Sequence, residues 1–335
     1  MSPHVTLLSS ATGTSEPACT ERDPLALAAV WPAMAASRTR PSVFLTPEWL
    51  AVARIHDPDT SLTLAMDDPP TGIIAASRAA DGTIRFGGGD LTDEHDVLAP
   101  ARSERQVAEA FARWLAANAR RVELEFVPED VPTLDIVAAT LGAAGFAVER
   151  ARQVAAPRLP LPADFEAYVQ GLGKKERHEL RRKMRRLESA GAARFRFATD
   201  AERSAVLDRF FALHRLSRGG KADFMSDANE RFFRDVADAL APLGRLRLGI
   251  VSLDGVDVAV LFAFAYAGTL ALYNAAYDPG LASLSIGIAS HAWAIRAAIA
   301  EGGFHTYDLL RGDEPYKYDL GAKDLWLERL VAVRA

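Results

Sequence analysis

The chain has 335 residues, a formal net charge of −5 and an apolar share of 49%. That length is long for one compact domain and comfortable for two, each with enough apolar residues to bury a core. The negative balance excludes a globally basic nucleic-acid footprint, so DNA is not an expected partner and any anionic partner has to be met locally.

The first residues lack the basic start and apolar stretch of a secretory signal, and 1–24 is expected to be a disordered tail. Cys19, the only cysteine, lies in it, so no internal disulfide can form and a reducing, cytoplasmic setting fits. Residues 23–36 read as a short helix. Thr46-Pro47-Glu48 ahead of Trp49-Leu50 supplies an N-cap, a first-turn proline and an early acid for another. The apolar runs 62–66, 72–77 and 83–86, separated by Asp-Asp-Pro-Pro and Asp81-Gly82, predict an antiparallel meander. Gly87-Gly88-Gly89-Asp90 resembles a phosphate cradle, but no lysine or helix start follows it, so it fails the P-loop pattern. It reads instead as a loop or hairpin facing a groove between two units. A helix over 103–119 with Val107, Phe111, Trp114 and Leu115 on one side, a strand over 122–127, a helix over 133–144 stopped by Gly145, and one or two strands over 146–159 complete the first unit.

Residues 173–188 hold Lys174, Lys175, Arg177, Arg181, Arg182, Lys183, Arg185 and Arg186, with Leu180, Met184 and Leu187 on one helical stripe. Two readings stay open: an amphipathic helix with solvated charges, or a local basic surface for a phosphorylated partner. The second half then repeats the element order of the first, with a strand at 194–198, helices at 201–218 and 229–240, and strands at 245–253, 256–266 and 269–277. A helix at 285–300 and strands at 306–310 and 325–333 follow. Residues 258–277 carry no charged side chain over a length that could cross a bilayer. Their period of two and the Ala267-Gly268-Thr269 turn predict a hairpin instead, so no transmembrane segment is expected.

Residues 308–322 pack charged, phenolic and turn-forming side chains directly behind an apolar strand end. The string Asp-Leu-Leu-Arg-Gly-Asp-Glu-Pro-Tyr-Lys within it resembles the GNAT-type acyltransferase superfamily, in the CelD-like branch related to the FemAB peptidyltransferases. Phe44-Leu45-Thr46-Pro47-Glu48-Trp49-Leu50, Arg185-Arg186-Leu187-Glu188 and His214-Arg215 add to the resemblance by their order along the chain, which is covered from about residue 41 to the end. The fold it implies is mixed α/β, a tandem of two GNAT-like units, each a mostly antiparallel sheet flanked by helices with a splayed parallel strand pair. The expected division is a tail at 1–24, a degenerate unit at 25–163, a basic connecting helix at 164–191 and an acyltransferase unit at 192–335.

The resemblance also implies the site. The acyl donor, acetyl-CoA or another acyl-CoA, would lie in the splay beside 270–277, with Tyr273 and Asn274 offering backbone N–H groups to the acyl carbonyl. The loop 278–288 would hold the pyrophosphate at a helix N-terminus through Ser285, Ile286, Gly287 and Ala289. The family pattern there is Arg or Gln, two residues, Gly, one residue, then Gly or Ala. Here Leu284 replaces the polar residue, which leaves room for an aminoacyl-tRNA donor, as FemAB enzymes use, and for Gly287 and Ala289 serving only close helix packing. Tyr316 would reprotonate the leaving thiolate, with Tyr318 as substitute, Asp313 or Glu314 would act as base, and Lys317 could hold a phosphate or carboxylate. Asp308 and Arg311 would join His214 and Arg218 in binding substrate. For these residues a structural ion pair of Arg311 with Asp308 or Asp313, and a capping or surface histidine, are the plainer readings. None of the seven histidines has metal-site spacing, so no metal is expected. The implied function is N-acyl transfer to a small-molecule amine, phosphorylated if the basic helix serves it, on a sugar nucleotide or other envelope or exopolysaccharide precursor. The alternatives are a FemAB-like aminoacyltransferase fed by transfer RNA and a catalytically silent GNAT-like binding protein.

Overall fold

The meander runs of the first half fold as β2 (Thr60–Met66), β3 (Gly72–Arg78) and β4 (Ile84–Phe86) in a computed structural model that describes residues 18–217 and 223–334. A strand β1 (Cys19–Glu21) precedes them and pairs antiparallel with β2, Cys19 opposite Met66. The expectation of a tail to residue 24 is corrected from residue 18 onward, because Cys19 is buried against the sheet and Arg22 N–H donates to Thr63 O at 2.8 Å. Between β1 and β4 lie α1 (Trp31–Ala36) and α2 (Pro47–His56), the latter capped as expected by Thr46 Oγ1 accepting from Trp49 N–H. Next come α3 (Glu104–Asn118), β5 (Arg121–Pro128), α4 (Thr133–Ala143) and β6 (Phe146–Ala155).

The second half starts with β7 (Arg158–Pro160) and the helices α5 (Phe165–Gly171) and α6 (Lys174–Glu188). The segment expected as one connecting helix is therefore two, parted at Leu172-Gly173. It is no linker, since Leu180, Met184 and Leu187 join the core under the second sheet. Then follow β8 (Arg194–Phe197), α7 (Arg203–Leu216), α8 (Asp227–Leu240), β9 (Leu246–Leu253), β10 (Val256–Tyr266), β11 (Thr269–Tyr277), α9 (Ile286–Glu301), β12 (Thr306–Asp308), α10 (Pro315–Asp319) and β13 (Trp326–Arg334). The uncharged stretch 258–277 is the β10–β11 hairpin, turned by Ala267 and Gly268, both at positive φ (46° and 76°). Among the described residues no helix is long and apolar enough to cross a membrane.

The strands form two mixed sheets, ordered β1-β2-β3-β4-β5-β13-β6 and β7-β12-β11-β10-β9-β8. Each is antiparallel except for one parallel pair, β4–β5 in the first and β11–β12 in the second. The halves trade strands: β7 edges the second sheet beside β12, and β13 sits inside the first between β5 and β6. The unit expected at 192–335 thus lacks its own last strand. In the first sheet Leu327, Leu330 and Ala332 are fully buried, and β5 and β6 offer hydrogen bonds on both sides of the strand.

Separate cores lie on the outer faces, α3 and α4 covering the first sheet and α5, α6 and α9 the second. The inner core is common to both halves, joining Trp49 of α2 and Ile73 of β3 to Phe210, Phe233, Phe262 and Phe264. Trp49 meets Phe232 and Phe264 edge-on at 5.7 and 5.4 Å. Such aromatic contacts, each worth about 0.5–1.5 kcal/mol beyond area burial, bind the halves into one body.

Candidate active site

Strand β12 pairs with β11 for three residues only, ending at Ala271 opposite Asp308, while β11 runs on to Tyr277. From Leu272 onward the edge of β11 therefore faces a slot instead of a partner strand. On its other side the ladder to β10 steps from Leu272 to Asn274, so Tyr273 is the extra residue of a bulge at the mouth of the slot. The slot is a cavity of about 420 Å³ lined by Tyr273, Asn274, Gly287, His291, Glu314 and Tyr316 among others.

Helix α9 opens at the slot with Ser285 at positive φ (58°) ahead of its first turn. Gly287 stands close to Tyr277, and a Cβ there would lie 3.3 Å from the Tyr277 ring. The first N–H groups of this helix and its dipole favour an anion at that end. α6 lies along the same end, with the Arg186 guanidinium donating to Ser283 O at 3.0 Å and the Lys183 ammonium 3.4 Å from Asp319.

The string after β12 is held from inside by Lys317. Its ammonium is buried and donates to the carbonyls of Leu310, Arg311 and Gly312 at 3.0, 2.7 and 3.0 Å, with Glu314 at 3.0 Å. Leu310, a non-glycine at positive φ (53°), and Gly312 at 112° bend the loop so that these carbonyls converge. Next in sequence, Tyr316 lays its ring flat on His291, centroids 5.0 Å apart and planes 11° apart, and burial pushes its phenol pKa up. His291 Nδ1 lies 3.4 Å from the Tyr307 hydroxyl.

Residues 174–318 match the family profile described as "Acetyltransferase (GNAT) domain". This segment belongs to the GNAT superfamily. The match begins with α6 and ends just past Tyr316, so the slot, the α9 terminus and the Lys317-held loop all fall inside the GNAT domain. The likeness of fold extends over both sheets. The crystal structure of FemX covers 93% of this chain and 96% of its own at a TM-score of 0.64 and 12% identity. A conserved protein of unknown function from Bacteroides thetaiotaomicron does so over 91% and 97% at 0.62 and 14%. L-PGS from Bacillus licheniformis covers 86% and 91% at 0.52 and 13%. No curated protein sequence matches the chain.

Within the GNAT domain the expected residues separate by position. Tyr316, Glu314, Tyr273, Asn274 and Gly287 line the slot together. Lys317 also borders it, but its donors are taken by the loop, so it positions the string and holds no ligand phosphate. Asp313 is exposed and borders neither the slot nor the second cavity described below. Tyr318 is partly exposed and donates to Asp324 at 2.8 Å, outside the slot. The side chains of Ile286 and Ala289 lie in the core, which leaves only their backbone for a ligand. His214 is also a core residue, packed 5.7 Å from Phe210 and 5.8 Å from Phe224, so it forms no acceptor surface. Arg218 lies outside the described residues. Arg311 is committed to the first half: it donates to Asp93 at 2.7 Å and to Asp90 O, and covers the Phe126 ring at 4.1 Å. The expected ion pair thus exists with a different acid.

Sequence reasoning missed His291 and the run Asp93-Glu94-His95-Asp96, all buried. The signals were an isolated histidine in an apolar helix and four consecutive ionisable residues directly ahead of the apolar run Val97-Leu98-Ala99. His95 fills the place in the first sheet that the slot takes in the second. It stacks between Phe86 and Phe126 at 5.7 and 6.2 Å, its Nδ1 meets Glu125 O at 3.0 Å, and burial lowers its pKa to about 4. The cavity left beside the β4–β5 pair is about 30 Å³. Asp57 accepts from Gly88 N–H at 3.1 Å, so a carboxylate already occupies the glycine loop.

A second cavity, about 180 Å³, lies behind the point where β11 and β12 part, on the inner face of the sheet. Asp308, 5% exposed, points into it beside Glu94 and Arg40 of the first half. Burial first, and then the Glu94 charge, raise the Asp308 pKa to about 7 against the pull of Arg40.

Proposed function

We propose that the chain is a cytoplasmic N-acyltransferase that moves an acyl group, acetyl in the simplest case, from coenzyme A to an amine on a sugar nucleotide or another envelope or exopolysaccharide precursor. The slot between β11 and β12 carries this reading. Its volume is in the range of small-molecule sites. The unpaired β11 edge offers backbone N–H groups at Tyr273 and Asn274 to a thioester carbonyl, where they would stabilise an oxyanion as it forms. Tyr316 keeps its proton at neutral pH, the state needed to protonate a departing thiolate. Glu314 is the carboxylate on the slot wall that could take the proton of the amine, directly or through water. The first half, its own splay filled by His95, shapes the cleft and holds no donor.

The second reading is transfer from an aminoacyl-tRNA. Leu284 in place of a polar residue and the basic α6, whose Arg186 donates to Ser283 O in the donor loop, favour it. Calorimetric titration with acetyl-CoA and a longer acyl-CoA separates the two. One saturable site that Gly287→Val abolishes is expected for the thioester reading. If neither thioester binds, the donor is an aminoacyl-tRNA or the protein is a silent binding module.

A further inference from the structure

One carboxylate of the inner cavity, Asp308, has no ion-pair partner in it among the described residues. Glu94 and Asp308 line it together with Arg40 and Arg158, and the half-exposed Asp130 stands outside the lining, beside both arginines. Arg40 is paired with Glu94 and lies 3.4 Å from Asp130, and Arg158 lies 3.6 Å from the same Asp130. Asp308 takes part in no ion pair among the described residues, and its single hydrogen bond there is accepted from Leu310 N–H at 2.9 Å. Arg40, the cation that acts on Asp308, is already paired with Glu94, so this buried carboxylate either holds a proton or meets a further cation. Its raised pKa is the first of these outcomes, taken in the absence of a ligand.

The walls and the volume say which cation fits. Phe44 and Phe264 back the cavity without an accessible face, at 1% and 0% exposure, so what a cation meets there is the pair of carboxylates Asp308 and Glu94. A volume of about 180 Å³ is below the roughly 300 Å³ at which drug-sized sites begin. With a water's share of liquid volume near 30 Å³, a molecule of a few heavy atoms fits and a nucleotide does not. We propose that this cavity binds a small primary-ammonium compound, of the size of an amino alcohol, with its nitrogen beside Asp308 and Glu94. The inference stands on the cavity and not on the acyl-transfer reading, so it can hold or fail whether or not a thioester occupies the slot.

The test is calorimetric titration of the full chain with ethanolamine hydrochloride, with ethylene glycol as the neutral probe and sodium acetate as the anion. Saturable binding of ethanolamine at pH 8, none of the other two, and a loss of at least about tenfold in Asp308→Asn are expected, since the variant removes a charged hydrogen-bond acceptor. Binding to the wild-type chain should also weaken about tenfold from pH 8 to pH 6, as a proton competes for a carboxylate titrating near 7. The groups facing Asp308 are Glu94, Arg40, Asp93, Arg158 and His305, and Glu94→Gln should lower the pH at which binding sets in. Absence of saturable ethanolamine binding overturns the proposal, as does binding that Asp308→Asn leaves unchanged. If that variant does not fold, an affinity that stays flat between pH 6 and 8 in the wild-type chain overturns it.

Discussion

Three carbonyls of one short loop turn inward to meet the Lys317 ammonium, and this decides how the neighbouring Tyr316 is placed. Replacing Lys317 with methionine leaves those carbonyls unsatisfied in a buried place, and a loss of about 2–4 kcal/mol is expected in urea unfolding. Tyr316→Phe keeps the stack on His291 and removes the proton. Once a substrate is in hand, turnover should fall roughly 100-fold with donor binding unchanged; undiminished turnover there and in Asp313→Ala would decide against catalysis by this string. Asp308 acts on stability in the opposite sense from an ordinary acid. Its folded pKa is raised, so the folded state holds a proton that the unfolded chain gives up, and stability falls as pH rises from about 4 to about 7. Asp308→Asn removes that loss and should melt above the wild type at pH 8, by on the order of a few kcal/mol, and level with it near pH 4. Tyr316 and Asp308 were legible in the sequence because one short string concentrates ionisable side chains behind a strand. His291, Glu94 and Asp93 were not, because what gives them meaning is contact with residues far along the chain, such as Tyr316 with His291 and Arg311 with Asp93.

The α9 start and the bulged β11 shape the slot together, and Gly287 fixes their separation. A valine there must move the Tyr277 ring, at an expected cost of about 1–3 kcal/mol for overpacking, alongside the loss of thioester binding. Thermal melting and calorimetry on the same variant read the two effects apart. Most elements could be read from their periodicity, the β10–β11 hairpin most plainly, since bulky and small residues alternate up to a turn that needs positive φ twice. The break between α5 and α6 escaped notice because basic, helix-favouring residues cover the segment that follows it, and Leu172-Gly173 carries no proline. Conversely, β12 proved two residues shorter than its apolar run, because Leu309 and Leu310 already bend toward Lys317. The splay itself is made by that early end.

Across the whole molecule, the repeated order of elements in the two halves was legible and the exchange of strands was not. An apolar alternating strand at 326–334 suits either sheet; only the vacancy between β5 and β6 decides, and no local pattern reports it. A chain ending before Trp326 is expected to leave β5 and β6 with facing unpaired edges, and amide exchange in both should rise toward the unfolded level while aggregation increases. Arg311→Ala, which removes the link to Asp93 while leaving every strand in place, should raise exchange around 90–96 without that collapse. The exchange also sets a timetable for biosynthesis. Because β13 is translated after every strand of the second sheet, the first sheet keeps an open place between β5 and β6 until residues 326–334 have emerged, a pairing of very high sequence separation. The sheet whose first strands are translated first is closed only after the other has all of its strands.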